Sequence, residues 1–179
     1  MPIYQPAEDS YLLTQILKEQ IPKLLEQNPD LNFLEIGAGS GIHLETARQF
    51  KVKEQNIFSC DINQNAVEHC KSLGFNCVNS DLFQNIKGKF NIIIFNPPYL
   101  PDDKREPCDS KLATTGGKTG CEIINRFLVQ AKAHLKQNGK IFLVVSNLTK
   151  NVNFLDYKKK EVGCEKLFFE QLCVWELRI

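Results

Sequence analysis

Two short stretches of this chain carry residue types and spacings suited to chemistry rather than packing. In Asn96-Pro-Pro-Tyr99 an amide, two prolines and a phenol follow an almost wholly apolar run, Asn91 to Phe95. Prolines stiffen a turn and hold its backbone carbonyls in a set direction. The Asn96 side-chain carbonyl and the Pro97 carbonyl can then accept hydrogen bonds from one planar –NH2 group. Tyr99 offers that group a flat face, with Pro98 completing the substrate-binding turn. An amide nitrogen is a poor nucleophile because its lone pair is delocalised. Acceptors on both its hydrogens favour electron density on nitrogen, most of all in the transition state. Orienting nitrogen and electrophile supplies the rest, without a metal or a covalent intermediate.

The second stretch is Glu35-Ile-Gly-Ala-Gly-Ser-Gly41. Gly37, Gly39 and Gly41 permit a tight strand-to-helix turn that a ligand can approach closely, beside free N–H groups of the helix start. Asp61, with Ile62 after it, ends the next strand, where a carboxylate can accept from ribose hydroxyls. Asp81-Leu82 ends the third and can meet an adenine amino group or cap a turn. The last glycine of a dinucleotide fingerprint is replaced by Ile42, which disfavours a nicotinamide oxidoreductase. Glu35 lies outside that fingerprint and suits a cationic amine such as that of a methionine moiety. As plain structure, the glycines tighten a turn, Asp61 caps a helix and Asn96-Pro-Pro-Tyr99 ends a strand. The order strand, turn, helix, strand, acid favours the ligand-binding reading.

Positioning these groups requires a particular scaffold. Leu12, Leu13, Ile16, Leu17, Ile21, Leu24 and Leu25 recur at helical spacing, so residues 8–27 read as an amphipathic helix ended by Asn28-Pro-Asp30. Strands are expected at 32–36, 56–60, 75–78, 91–95 and 140–146. Helices follow the glycine turn to about Phe50, follow the Asn63 cap to Leu73, and run near 119–137 to a stop at Asn138-Gly139. Apolar strands alternating with helices imply an α/β fold with a parallel sheet covered on both faces. The tail, 162–179, alternates like a hairpin. Lys158-Lys-Lys160 reads as a solvated helix face. Residues 100–118 form a long polar loop of the functional kind, in which Lys104, Arg105, Lys111 and Lys118 can meet phosphates or an acidic protein surface.

Bulk properties narrow the class. The chain has 179 residues, 42% of them hydrophobic and 24% charged, with net charge +1, which fits one domain with a full core and gives no general basic excess for nucleic acid. Seven cysteines and three histidines without short spacings argue against a metal site and read as reduced, buried thiols, Cys60 and Cys121 near the crevice. No apolar run approaches the ~20 residues of a membrane span and the start is no signal peptide. A cytoplasmic protein with no membrane contact is expected.

With those residues in view, the chain resembles the HemK-like glutamine methyltransferases that modify translation release factors, in their short eukaryotic and archaeal branch. The resemblance rests on Pro6-Ala-Glu-Asp-Ser-Tyr-Leu-Leu13, Leu34 to Gly41, Asp61-Ile-Asn63, Asp81-Leu82, Asn96-Pro-Pro-Tyr99, and Gly116-Gly-Lys-Thr-Gly120 leading to Arg126-Phe127. It spans nearly the whole chain and fades after about Asn147. It implies the class I S-adenosylmethionine-dependent methyltransferase fold: a mostly parallel seven-stranded Rossmann-like sheet, helices on both faces, and a C-terminal antiparallel hairpin. One domain is implied over 1–179, with 1–28 as helix and cofactor-covering motif and 29–179 as core. S-adenosylmethionine is the implied cofactor. Pro6, Ala7, Glu8 and Asp9 would close over it, although Glu8 and Asp9 also suit a helix N-terminus. Glu35, the three glycines, Asp61, Ile62, Asp81, Leu82 and Asn96 would bind it. Asn96, Pro97 and Tyr99 would be catalytic, acting on the glutamine of a Gly-Gly-Gln motif. A release factor is the implied substrate, and a small zinc-binding activator a possible partner. The same turn serves N6-adenine methylation of DNA or RNA, which is the main alternative. A non-catalytic cofactor-binding subunit is a further one, disfavoured by the intact Asn96.

Overall fold

The computed structural model describes residues 2–102 and 114–179. Lys104, Arg105 and Lys111 of the polar loop lie outside that range. The chain runs α1 (Glu8–Gln27), β1 (Phe33–Ile36), α2 (Ile42–Gln49), β2 (Ile57–Asp61), α3 (Gln64–Ser72), β3 (Asn76–Asn79) and β4 (Phe90–Phe95). It continues through β5 (Leu100–Pro101), β6 (Thr115–Gly117), α4 (Glu122–His134), β7 (Leu135–Ser146), β8 (Lys158–Lys166) and β9 (Gln171–Arg178). Seven strands make one sheet in the order β3-β2-β1-β4-β7-β9-β8, and β5 with β6 makes a small second one. The first five strands are parallel. β9 is antiparallel to both β7 and β8.

The central strands are mostly apolar because both faces are covered. Phe33, Ile92, Ile94, Phe142 and Val144 point to one core, with side chains of α1, α2 and α3. Leu34, Ile93, Phe95, Ile141 and Leu143 point to the other, with Ile124, Phe127, Leu128 and Ala131 of α4. Alternation along each strand divides the same run between two cores. The α1 stripe Leu13, Leu17 and Ile21 is fully buried, each side chain contributing about 1.5–3 kcal/mol.

Four expectations are corrected. The last helix ends at His134, not at Asn138-Gly139, because buried Leu135 is drawn into pairing with Phe90. Asn138 (φ 63°) and Gly139 instead turn the chain inside β7, between the Leu135 and Lys140 registers. Lys158-Lys-Lys160 opens β8 as an exposed strand, not a helix face, because it pairs with the end of β9. The hairpin therefore begins four residues before the expected Val162. Finally, Cys164 and Cys173 form a disulfide, since the hairpin register sets them directly opposite each other; they are not reduced thiols. Among the described residues, Cys60, Cys70, Cys77 and Cys121 are free and buried. The described cluster with ligand-type side chains, Glu161 with Cys164 and Cys173, has its two sulfurs bonded to each other. No helix among the described residues is long and apolar enough to cross a membrane.

Candidate functional site

β1 and β4 are parallel neighbours whose last paired residues are Ile36 and Phe95. From β1 the sheet continues to β2 and β3, and from β4 to β7. Chains leaving two such strands diverge and open a crevice at the carboxyl edge. The glycine turn leaves β1 and the Asn-Pro-Pro-Tyr turn leaves β4, so they form its two lips. Between them lies a cavity of about 440 Å³.

The β1 lip is tied down. Gly37, Gly39 and Gly41 all have positive φ, where a side chain is strained. Gly37 and Ala38 both donate to the Cys60 carbonyl, at 2.8 and 3.0 Å. The Asp61 carboxylate accepts from Gly39 N at 2.9 Å and from Asn63 N at 2.8 Å. Burial raises the Asp61 pKa, while the N–H groups of Gly39, Asn63 and Ile62 oppose the shift. Each oxygen keeps a further lone pair for a ligand hydroxyl. Asn63 caps α3 as expected, accepting from Asn65 N.

Glu35 is buried at the end of β1, with Oε1 at 2.6 Å from His43 Nδ1. Its Oε2 is buried, has no hydrogen-bond partner, and belongs to a residue lining the cavity. Asp81 reaches Arg126 at 2.7 Å, and both line the cavity. Leu82 beside it has φ 50°, a costly conformation for a branched side chain.

The β4 lip differs. Asn96 lines the cavity, and its Oδ1 is buried without a partner. An unmatched buried carbonyl costs about 1–3 kcal/mol, which a donor from a ligand would relieve. Backbone contacts set the turn. Thr149 Oγ1 donates to the Tyr99 carbonyl at 2.8 Å. Glycine is required at 116 and 120: a Cβ at Gly116 would stand 2.4 Å from the Pro98 carbonyl oxygen, and one at Gly120 would stand 2.2 Å from that of Tyr99.

The residues expected from sequence divide. Asp9, Glu35, Gly37, Gly39, Asp61, Ile62, Asp81, Leu82, Asn96, Pro97 and Pro98 line the cavity, whereas Pro6, Ala7, Glu8, Gly41 and Tyr99 do not. Tyr99 turns its hydroxyl to Asp9 at 3.2 Å, and burial, with the Asp9 charge, raises its pKa. Pro2 to Gln5, a strap ahead of the expected motif, also line the cavity. Asn63 Nδ2 holds the Pro2 carbonyl at 2.9 Å, and Tyr4 donates its hydroxyl to Asp9 at 3.0 Å. Sequence reasoning missed this strap, and it also missed His43, Ser10 and the cavity role of Arg126. The positions of Tyr4 and Asp9 on either side of a helix start were a usable signal; nothing local marks His43.

The two unpartnered oxygens are the test of fit for a cofactor and an acceptor. Glu35 Oε2 suits a cation and Asn96 Oδ1 suits an N–H donor. Residues 10–165 match the family model of the methyltransferase small domain. The chain belongs to that family. A protein of Methanocaldococcus jannaschii bearing the name protein N5-glutamine methyltransferase is 39% identical, over 98% of this chain and 92% of the relative. The eRF1 methyltransferase catalytic subunit of Schizosaccharomyces pombe is 30% identical, over 79% of this chain and 71% of its own. The 16S rRNA N2 G1207 methyltransferase of Thermus thermophilus, solved with AdoMet and guanosine, superposes with TM-score 0.64 at 17% identity, covering 97% of this chain and 44% of that one. This methyltransferase therefore has the class I fold, and the nicotinamide alternative is set aside.

Proposed function

We propose that this methyltransferase modifies the side-chain amide nitrogen of the glutamine in a Gly-Gly-Gln motif of a class I translation release factor. One observation carries the reading: Asn96 Oδ1, buried and unpartnered, borders the cavity at the end of β4. The names of the relatives support it from another side. S-adenosylmethionine supplies a methyl group on a sulfonium, an electrophile that needs no further activation. Asn96 Oδ1 accepts one N–H of the glutamine amide and the Pro97 carbonyl accepts the other. Both bonds strengthen as positive charge develops on nitrogen; the sulfonium leaves as the neutral thioether of S-adenosylhomocysteine, and the nitrogen loses one proton to solvent on release. Tyr99 positions rather than reacts, holding the turn against Asp9 through its hydroxyl. Gly37, Gly39 and Asp61 would hold the adenosyl part, together with Asp81 and Leu82. Asp9 and the strap exclude water.

The reading extends to one working domain, residues 1–28 closing the cavity of the 29–179 core. Work alongside translation implies a cytoplasmic location. A relative named a catalytic subunit supports a partner subunit, which we take to be a small zinc-binding activator.

The test uses labelled S-adenosylmethionine with a release factor, the same factor with its motif glutamine replaced by alanine, and an adenine-containing oligonucleotide. Label on the intact factor alone, lost in Asn96→Ala, is the expected result. Label on the oligonucleotide alone would replace the glutamine reading with N6-adenine methylation.

A further inference from the structure

We propose that His43 is a positioning residue for the cofactor, keeping Glu35 charged and aimed so that Oε2 can take the α-amino group of the methionine moiety. The inference rests on the cofactor assignment and not on which nitrogen is methylated.

The argument starts from proton positions. His43 and Glu35 are 3% and 1% exposed, so neither is shielded by solvent. His43 Nε2 lies 3.1 Å from the Ser10 carbonyl oxygen. A carbonyl only accepts, so Nε2 carries hydrogen. Nδ1 lies 2.6 Å from Glu35 Oε1, and at that separation a second proton sits between them. Burial raises the Glu35 pKa, against the pull of His43. Burial alone would lower that of His43, but the Glu35 carboxylate raises it overall. Both shifts have the same sense: the pair retains two protons. The second lies on the line between Nδ1 and Oε1, and with it on the ring the pair is an imidazolium bonded to a carboxylate.

That pairing decides what Oε2 can do. A buried carboxylate without a counter-charge protonates, and a neutral acid is a poor acceptor for an ammonium group. With His43 present the carboxylate survives burial, one oxygen is occupied, and the other is left unpartnered in a residue that lines the cavity. The ring also fixes the direction of that oxygen. Its far side is bound to Ser10, next to Asp9, which holds Tyr4 and Tyr99. One imidazole thus joins the floor of the site to the helix start that carries its cover.

The experiment measures calorimetric affinities of S-adenosylhomocysteine and of its analogue lacking the amino group. The proteins are wild type, Glu35→Gln, His43→Leu and His43→Gln, each first checked by thermal unfolding. Wild type should prefer the amino ligand by about tenfold or more, the usual size for a charged hydrogen bond. Glu35→Gln and His43→Leu should each abolish the preference while binding of the analogue changes less than about threefold. In His43→Gln, which donates a hydrogen bond but brings no charge, the preference should return as pH rises and Glu35 ionises. Should His43→Leu fail to fold, that pH profile decides. Equal loss of both ligands, or a preference that survives the His43 substitutions at every pH, would reduce His43 to a packing residue. A wild type that binds neither ligand would overturn the cofactor assignment and this inference with it, leaving the identity of the methylated nitrogen to its own assay.

Discussion

The two lips of the cavity are built on opposite terms. On the β1 side most polar atoms are matched before any ligand arrives: Asp61 holds Gly39 N and Asn63 N, and the Gly37 and Ala38 amides donate to the Cys60 carbonyl. On the β4 side the acceptor that matters, Asn96 Oδ1, is unmatched, and rigidity is supplied from beneath by Thr149, Gly116 and Gly120. A binding surface profits from fixed geometry, since a ligand then loses little in ordering it. A group that favours the transition state must keep its interaction unspent until substrate arrives. Glu35 stands between, with one oxygen matched and one open.

Removing the open acceptor should separate the lips most. Asn96→Ala is expected to lower kcat by about 10²–10³-fold, leaving the calorimetric affinity for S-adenosylhomocysteine within about threefold of wild type. A parallel collapse of cofactor affinity would break the contrast. Gly120→Ala attacks the same lip from below, forcing a Cβ onto the Tyr99 carbonyl at a φ of +85°. It should cost about 1–3 kcal/mol of stability and reduce kcat roughly tenfold or more, again with cofactor affinity nearly intact.

The opposite lip should answer in binding. Asp61→Ala removes the partner of two backbone amides and should weaken S-adenosylhomocysteine roughly tenfold or more, at about 1.5–3 kcal/mol per charged hydrogen bond. In single-turnover assays at saturating cofactor it should recover most of its rate; a kcat defect that persists there would count against the division. The smallest effect is expected outside both lips, at buried Glu176, which is bound by Lys140 at 2.9 Å and Arg178 at 2.6 Å. Burial alone would raise its pKa, but the two cations lower it overall. A carboxylate with a depressed folded pKa stabilises the fold above its unfolded value and loses that contribution as pH falls through the folded one. Glu176→Gln should therefore melt about 2–4 °C below wild type at neutral pH, with the gap closing as pH falls below the ordinary glutamate range, and with neither lip selectively altered.

Much of the scaffold was legible because its signals are local. Apolar strands alternating with amphipathic helices, the Asn63 cap and the glycine turn all depend on near neighbours in sequence, and each stands where expected. The residues of Asn96-Pro-Pro-Tyr99 suggested acceptors for a planar –NH2 group and the resemblance narrowed that to a glutamine amide, while it noted Gly116 to Gly120 without a reason. The reason is a backbone approach of a segment about twenty residues away. Leu135 left the helix, and Lys158 to Lys160 entered a strand, because partners distant in sequence offered pairing that local pattern did not announce. The disulfide likewise needed the hairpin register before Cys164 and Cys173 could be seen as neighbours.

By itself, then, the sequence determined the fold class and the two turns that become the lips, since residue type and short-range order suffice for these. Tertiary structure alone decided which atoms are free to react. Asp61 and Asn96 were both read as polar ligands, yet folding matches the oxygens of one to backbone amides and leaves the carbonyl of the other open. His43 became part of the site only when α1 brought the Ser10 carbonyl against its far nitrogen. Hydrogen-bond matching is settled by which groups folding buries together, and that depends on contacts across dozens of residues that no local pattern contains.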